Sequence, residues 1–377
     1  MSVLAKSGRA EEVVRGDLEY IVENAGSELE SLAGGHLLVT GGGGFLGYYL
    51  VQGILAWNEL RAEAGERIRI TVADNYARGV PDWLEGLGAV EGLDVVVHDV
   101  RDPLPDEVGP LDYVIHAAGI ASPTYYRQYP IETMDANVGG LRLLLDRAAL
   151  AQGSTDEVRG FLFMSSSEIY GDPAPESIPT PETYRGNVSC TGPRACYDES
   201  KRFGETLCVT FAQVHGLPIT IARPFNNYGP GLKLTDRRVI PDLARDVLEG
   251  RDVTLLSDGT ATRTFCYAAD AIVGYYKALV NGRAGESYNV GIERPEISMS
   301  ELAEVVVSTA REELGYAGRV IHAASGDPQY LVDNPSRRCP DLGKSRAELT
   351  FDPRIEIEEG IRRSLVWYAE NRGGADA

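Results

Sequence analysis

The first part of the chain alternates between short apolar runs and segments whose apolar residues have helical spacing. The run His36-Leu37-Leu38-Val39-Thr40, for example, precedes apolar positions at Leu46, Tyr49, Leu50, Ile54 and Trp57. Such alternation is typical of parallel strands joined by crossover helices. It predicts an α/β fold with a doubly wound parallel sheet. The predicted strands cover residues 37–39, 68–73, 95–97, 113–115, 161–164 and 219–222.

The chain on either side of this region has a different pattern. Residues 1–35 carry apolar residues among many carboxylates, which predicts an added amphipathic helix that packs on the body or on a second subunit. After Pro224 the pattern loosens, with Pro and Gly at Pro230-Gly231 and Asp258-Gly259. We therefore predict an N-terminal extension at 1–35, a main α/β domain at 36–224 and a smaller lobe at 225–377. This lobe would also borrow residues around 172–194.

A glycine-rich loop follows the first predicted strand. Its sequence is Gly41-Gly42-Gly43-Gly44-Phe45-Leu46-Gly47, and a helical pattern begins directly after it. A strand, a tight glycine turn and a helix N-terminus form the pyrophosphate site of dinucleotide-binding folds, because exposed amides and the helix dipole face the anion. Two glycine spacings fit, one through Gly42, Gly44 and Gly47 and one through Gly41, Gly44 and Gly47. Thr40 before the loop favours the second.

The end of the second predicted strand indicates which dinucleotide binds. Asp74 follows residues 68–73, where a carboxylate suits the two hydroxyls of an adenosine ribose and repels a 2′-phosphate. NAD is therefore predicted as the cofactor in preference to NADP. Arg78 is close in sequence and argues the other way, since an arginine can accommodate that phosphate.

Candidate chemistry lies in two segments further along the chain. Tyr197 and Lys201 are four residues apart, so on a helix the ammonium would lie beside the phenol and favour its ionised form. Ser166 follows the fifth predicted strand and could share a hydrogen bond with a substrate and Tyr197. Together these three side chains predict proton removal from an alcohol whose carbon gives up a hydride.

Composition limits the possible partners and compartment. The formal net charge is −20, which argues against nucleic acid and anionic membranes as partners. The five cysteines are odd in number and lack C-x-x-C spacing, and no apolar stretch approaches the length of a membrane span. The N-terminal residues show no signal-peptide pattern. We therefore expect a cytoplasmic protein with no metal site and reduced thiols.

Four segments resemble a known family across nearly the whole chain from about His36. They are 121–126, 166–173, 192–199 and 338–341, read as ASPTYY, SSEIYGDP, GPRACYDE and RCPD. The chain is similar to the extended short-chain dehydrogenase/reductases, and within them to the UDP-glucuronate decarboxylases, also called UDP-xylose synthases. This resemblance implies a Rossmann fold, NAD, a nucleotide-sugar substrate and a homodimer.

The resemblance also assigns roles to individual residues. Tyr197 would be the catalytic base, Lys201 its partner, and Ser166 would stand where the family usually has threonine. Glu168 and Arg338 would serve the decarboxylation stage. The implied cofactor-binding residues are Gly41, Gly44, Phe45, Leu46, Gly47, Asp74, Asn75, Asp99, Val100, Ala117, Tyr197 and Lys201. The implied substrate-binding residues are Ala121, Tyr126, Ser167, Arg194, Asn226, Arg238, Arg263 and Arg338.

Glu168 needs a physical explanation, because a carboxylate beside an anionic substrate would repel it. It is predicted either to handle a proton or water with a raised pKa, or to be held by an arginine. Three departures from the family bear on the sugar: residues 116–119 read HAAG, Cys339 replaces a lysine, and 330–336 looks like an insertion beside the sugar pocket.

Alternative functions remain open at this point. A nucleotide-sugar 4,6-dehydratase shares the oxidation step, although the usual dTDP-glucose enzymes have Asp-Glu where this chain has Ser167-Glu168. A 4-epimerase needs only the tyrosine, the lysine and room for the ketosugar to rotate. A non-catalytic NAD-binding sensor is a third possibility. Tyr197, Lys201 and Ser166 argue against it, since a pure binding protein needs none of them.

Overall fold

The computed structural model describes residues 3–4, 8–63, 65–88, 90–329 and 331–371. Strands in the described chain are numbered β1 to β14. In chain order they are His36–Thr40, Arg69–Asp74, Leu93–Val97, Tyr113–His116, Gly160–Met164, Ile219–Pro224, Asn227–Tyr228, Val253–Leu255, Thr262–Arg263, Cys266–Tyr267, Ser287–Val290, Ile297–Ser298, Val320–His322 and Arg337–Arg338.

Helices in the same residues are numbered α1 to α13. In chain order they are Arg9–Asn24, Gly26–Ser31, Phe45–Leu60, Asp82–Glu85, Pro123–Gln128, Pro130–Met134, Leu141–Ala151, Ala195–His215, Val239–Leu248, Ala268–Asn281, Met299–Leu314, Gly343–Leu349 and Ile357–Glu370. No helix in the described part of the chain is long and apolar enough to cross a membrane.

The central feature is a seven-stranded parallel sheet in the order β11-β6-β5-β4-β1-β2-β3. Its six strands before residue 225 are the predicted ones, so the α/β, doubly wound fold is confirmed. The seventh strand, Ser287–Val290, was missed. Its sequence, SYNV, mixes polar and apolar residues although Tyr288, Asn289 and Val290 are buried, so it carries no apolar run to detect.

The sheet places the candidate chemistry at one edge. Strand order reverses between β1 and β4, and ligands of open α/β sheets bind at the carboxyl ends of strands beside such a reversal. Thr40, Asp74, His116 and Met164 end β1, β2, β4 and β5 and therefore share that edge. The glycine loop and the Ser166 segment start directly after β1 and β5.

The C-terminal part of the chain contributes both to this sheet and to its cover. Helix α10 packs on β5 and β6, and β11 pairs with β6. Small sheets built from β9, β12 and β14, from β7 and β10, and from β8 and β13 form the rest. The predicted division at residue 224 stays a prediction, but residues 268–290 belong to the central sheet rather than to a separate lobe.

The N-terminal extension forms α1 and α2 instead of one helix, and it packs on the body against α3, α10 and α13. Asp17 in α1 is fully buried and accepts hydrogen bonds from Tyr49, Tyr267 and Arg363. Burial raises the pKa of Asp17, against the nearby Arg363 guanidinium. This buried polar contact fixes the extension to the dinucleotide-side helix α3. Residues 1, 2 and 5–7 lie outside the described residues.

Candidate active site

A cleft of about 2010 Å³ opens at the carboxyl edge of the sheet. Ligand pockets in proteins usually enclose about 300–1,000 Å³, so this cleft has room for a dinucleotide and a second ligand of similar size. With the exception of Gly47, every site residue predicted from the sequence lines it. The structure thus brings together side chains from positions 41 to 338.

The glycine loop at one end of the cleft has the shape that a dinucleotide phosphate requires. Gly41 has φ +70°, and a Cβ there would lie 2.6 Å from the backbone of Ala118. A Cβ on Gly47 would lie 2.0 Å from the Gly42 carbonyl oxygen. Helix α3 begins at Phe45 with no side-chain cap, which leaves its first amides available to an anion. These residues fit NAD, and they support the spacing through Gly41, Gly44 and Gly47.

Acidic side chains lie beyond this loop, where an adenosine would bind. The Asp74 carboxylate accepts hydrogen bonds from Gly43 N at 3.0 Å and from Tyr76 N at 2.8 Å. Burial raises its pKa. Asp99 accepts from Asn75 Nδ2 at 3.1 Å and pairs with Arg101, which keeps the pKa of Asp99 well below its ordinary value.

Arg78, the residue that argued for NADP, is committed to a contact elsewhere. Its Nη1 lies 3.0 Å from Asp236 Oδ2, and its guanidinium lies 4.9 Å from the centre of the Tyr125 ring. Arg238 also reaches Asp236, with Nε 2.8 Å from Oδ1. Asp236 therefore joins the loop after β2 to a predicted substrate arginine. Neither its role nor the turn around it was predicted from the sequence.

Tyr197 and Ser166 meet in the middle of the cleft. Tyr197 lies in the first turn of α8, and its hydroxyl shares a hydrogen bond with Ser166. Ser166 Oγ also accepts from Glu168 N at 3.1 Å. Tyr126 stacks on Tyr197 with ring centres 5.0 Å apart and planes 9° from parallel. The ring and hydroxyl of Tyr197 are therefore both held in place.

Lys201 departs from the predicted arrangement. Its Nζ donates to the Met164 carbonyl at 2.8 Å and lies 5.9 Å from the centre of the Tyr197 ring. Burial lowers the pKa of Lys201 to about 8. Burial raises the pKa of Tyr197 to about 12, only partly opposed by the Ser166 hydrogen bond. The predicted lowering of the tyrosine pKa by this lysine is therefore absent from the structure.

Glu168 is held between two arginines at the far end of the cleft. Arg338 donates to both carboxylate oxygens, with Nη2 2.8 Å from Oε2, and Arg194 Nη2 lies 2.5 Å from Oε2. Burial opposes ionisation of Glu168, but the two guanidiniums outweigh it and hold the pKa well below its ordinary value. The prediction of a raised pKa is therefore wrong, and an arginine-held carboxylate is what the structure contains.

The predicted insertion lies beside this cluster. Arg263 is buried and donates to the carbonyl oxygens of Pro335, Ser336 and Thr262 rather than to a carboxylate. Residues 331, 332 and 334–336 line the cleft. Tyr330 lies outside the described residues. Burial and the neighbouring arginines, Arg338 foremost, lower the pKa of Arg263 to about 9.

The remaining predicted substrate residues are placed by loops around the same space. Asn226 adopts φ +41°, a conformation uncommon for a residue other than glycine, and donates to the Thr264 carbonyl at 2.9 Å. Ala121 is exposed at the rim, whereas Ser167 is buried. No group of three or more His, Cys, Asp or Glu side chains that could hold a metal ion occurs in the described ranges.

Comparison with known proteins agrees with this fold and cleft. Residues 37–291 match the model of the NAD dependent epimerase/dehydratase family. The chain belongs to this family, as an extended short-chain dehydrogenase/reductase, and NAD as its cofactor is confirmed.

Named relatives lie among sugar-nucleotide enzymes. The chain is 35% identical over 326 residues to UDP-glucuronic acid decarboxylase 6 of Arabidopsis thaliana, covering 86% of each chain. It is 32% identical over 332 residues to UDP-glucuronic acid decarboxylase 1 of Xenopus tropicalis, covering 88% of this chain and 72% of the relative. A dTDP-glucose 4,6-dehydratase of Streptomyces venezuelae, solved with NAD bound, has a TM-score of 0.76 at 28% identity, covering 90% of this chain and 98% of that one.

Proposed function

We propose that the protein converts UDP-glucuronate to UDP-xylose by decarboxylation. The observation that carries this proposal is the pair of buried arginines, Arg194 and Arg338, at the end of the cleft next to Tyr197 and Ser166. An uncharged hexose gives no reason to bury two guanidiniums beside the reacting carbons, whereas a uronate carboxylate does. Identity of 32–36% to UDP-glucuronic acid decarboxylases over most of the chain supports the same assignment.

Tyr197 and Ser166 act on the C4 hydroxyl of the sugar. Bound NAD supplies a hydride acceptor at C4 and later returns the hydride, so no net oxidant is consumed. Tyr197 Oη takes the C4 hydroxyl proton, and Ser166 Oγ holds that hydroxyl and Tyr197 in one hydrogen-bonded line. Burial of Lys201 beside Met164 puts a cation next to the dinucleotide end of the cleft, where the nicotinamide ribose is expected.

Loss of carbon dioxide follows from the C4 ketone. Once C4 is a carbonyl, the electrons of the C5–carboxylate bond can spread onto the C4 oxygen, where Tyr197 Oη and Ser166 Oγ donate hydrogen bonds. Charge therefore leaves the carboxylate as the transition state forms. A tight arginine grip on that carboxylate would stabilise the substrate more than the transition state. Glu168 shares both guanidiniums and thereby weakens that grip.

Incubation with UDP-glucuronate and NAD tests the proposal. We expect carbon dioxide and UDP-xylose in equal amounts, with no stoichiometric NADH at the end point. A 4-keto-6-deoxy product would indicate a dehydratase, and UDP-galacturonate would indicate a 4-epimerase. Absence of any product with this substrate, together with turnover of an uncharged nucleotide hexose, would replace the decarboxylase assignment.

Two further expectations belong to this proposal. Exposed apolar residues on α6, α7 and α8 support a homodimer through these helices, which analytical ultracentrifugation can test. They are Ile131, Met134, Leu150, Phe203 and Val214. The five cysteines are unpaired, which supports the predicted cytoplasmic location.

A further inference from the structure

Asp198 is a buried carboxyl group that the proposed mechanism does not use. It follows Tyr197 in α8, and its side chain is 6% exposed. Its Oδ2 lies 3.9 Å from Arg194 Nε, which is too long for a hydrogen bond. Its Oδ1 is buried with no hydrogen-bond partner among the described residues, and the same holds for Arg194 Nε. The pair is therefore close in space without being a formed ion pair.

The charged groups around Asp198 do not compensate a second negative charge. Arg194 gives its Nη2 to Glu168 at 2.5 Å, and Arg338 gives both terminal nitrogens to the same carboxylate. Asp333, from the segment beside the sugar pocket, adds a further nearby carboxylate. An ionised Asp198 would thus be a buried charge without its own hydrogen-bonded partner, which is costly. Burial, with Glu168 next, raises the pKa of Asp198 to about 8.

We propose that Asp198 is a positioning residue that stays protonated in the working enzyme and thereby sets the charge of the Arg194–Glu168–Arg338 cluster. The inference rests on the proposed function, because its consequence is felt by a substrate carboxylate. With Asp198 neutral, two arginines and one glutamate leave one net positive charge, which matches one uronate. With Asp198 ionised, the four groups sum to zero and the attraction for the uronate is lost.

Ionisation of Asp198 also redirects Arg194. The guanidinium would be drawn to the new carboxylate on its own helix and away from the sugar end of the cleft. Both effects act on binding of the uronate and leave the Tyr197–Ser166 pair in place. The expected signature is a KM for UDP-glucuronate that rises with pH above about 8, while kcat changes less.

The test compares wild type with Asp198→Asn, which keeps the shape and cannot ionise. From pH 7 to 9.5 the wild-type KM should rise about tenfold or more, as titration of one group near pH 8 requires. Asp198→Asn should match wild type within about threefold at pH 7 and lack that rise. Glu199→Gln, the same chemical change at the next, half-exposed residue, is the matched control and should behave as wild type.

Two measurements keep the outcome clear if Asp198→Asn folds poorly. Binding of UDP-glucuronate and of UDP to the Tyr197→Phe holoenzyme should differ in pH dependence, with only the uronate losing affinity above pH 8. Linkage gives the second: the folded pKa is raised from 3.8, so Asp198 stabilises the fold below pH 4 and loses that contribution as pH rises toward 8. Asp198→Asn should therefore gain in melting temperature over wild type as pH rises.

Several results would overturn the inference. One is a wild-type affinity for UDP-glucuronate that varies with pH no more than that for UDP. Another is an alkaline rise in KM that survives in Asp198→Asn, and a third is a loss of more than tenfold in kcat/KM at pH 7 in that variant. Failure of the proposed function looks different: wild type would release no carbon dioxide at pH 7, whatever the pH dependence of binding.

Discussion

The two ends of the cleft are assembled from contacts of very different range. At the dinucleotide end, the glycine loop and Asp74 follow adjacent strands, and Asp74 bonds Gly43 and Tyr76 within 31 residues. At the sugar end, Arg338 meets Glu168 across 170 residues, and Arg263 holds the backbone of 335–336 more than 70 residues away. The first end is defined by backbone geometry and the second by buried ion pairs.

This difference teaches where function can vary in such a fold. A Cβ at Gly47 would meet a backbone oxygen that cannot move aside without shifting α3. The ion pairs at the sugar end join separate loops, so a change in one loop alters charge and shape while the sheet stays intact. The dinucleotide end thus fixes the cofactor, and the sugar end decides what happens after oxidation.

The largest expected effect falls at the junction of the two ends. Tyr197→Phe removes the proton acceptor and keeps the stacked ring, so kcat should fall by about two to four orders of magnitude. Binding of UDP should persist. Tyr113→Phe is the matched control, because its hydroxyl donates to the Ser31 carbonyl at the opposite edge of the sheet. Near-normal turnover of Tyr197→Phe would mean that the base is another group.

Sequence reasoning succeeded where the signals were local. Apolar runs predicted six strands of the central sheet, and the order strand, glycines, helix predicted the loop at Gly41. Ser287–Val290 was missed because its burial comes from pairing with β6 rather than from its own composition. The position of Lys201 was predicted wrongly, since helical spacing cannot show that the Met164 carbonyl competes for the ammonium.

Long-range ion pairs were harder to predict. Glu168 and Arg338 were paired only through a resemblance to a family, and the pKa of Glu168 depends on two arginines whose approach no local pattern encodes. Asp198 and Asp236 gave no signal at all. Each is an ordinary helix or turn aspartate in the sequence, and it becomes informative only because folding buries it next to arginines from elsewhere.

Arg338→Ala tests whether the sugar end acts after oxidation. Carbon dioxide release should fall by about two orders of magnitude or more, the usual effect of losing one preorganised charged donor. NADH absorbance on adding UDP-glucuronate should still appear before the steady state, within about tenfold of the wild-type rate. Glu168→Gln should show the same division between the two signals.

Arg337→Ala is the matched control for Arg338→Ala. Arg337 is the adjacent arginine, half-exposed and paired with Glu296 through Nη2 at 2.7 Å. It should retain carbon dioxide release. Equal losses of NADH formation and carbon dioxide release in Arg338→Ala would show that the arginine serves binding or the first step instead.

Gly47→Ala tests the backbone definition of the dinucleotide end. The added Cβ would be 2.0 Å from the Gly42 oxygen, and overpacking of this kind typically costs about 1–3 kcal/mol. We expect a lower melting temperature and an NAD affinity reduced by about tenfold or more, measured by calorimetry. Gly16→Ala in α1 is the control, since a Cβ there meets nothing within 4 Å and should slightly stabilise the helix. Unchanged NAD affinity in Gly47→Ala would contradict the assignment of this loop.

Asp74→Ser tests the choice of cofactor. Removing the carboxylate takes away its hydrogen bonds to the ribose hydroxyls and its repulsion of a 2′-phosphate. NAD affinity should fall about tenfold, the usual contribution of a charged hydrogen bond, and the preference over NADP should shrink. Titration of both dinucleotides by fluorescence quenching measures the ratio. A variant that binds NAD as wild type does would show that another group recognises the ribose.

Arg78→Ala separates the two ends at the point where they touch, and its expected effect is the smallest. Arg78 is 43% exposed and shares the buried Asp236 with Arg238, so its loss removes one of two partners and loosens the substrate arginine. Because partly exposed ion pairs contribute about 0.2–1 kcal/mol, UDP affinity should fall no more than about fivefold.

NAD and NADP affinities should stay within about twofold in Arg78→Ala, since the guanidinium contacts Asp236 and the Tyr125 ring rather than the Asp74 carboxylate. Arg67→Ala, which breaks the exposed pair with Glu91, is the control and should change neither affinity. A selective loss of NADP binding in Arg78→Ala would place this arginine at the adenosine end instead. The boundary between the two ends would then lie beyond Arg78, and Asp236 would not join them.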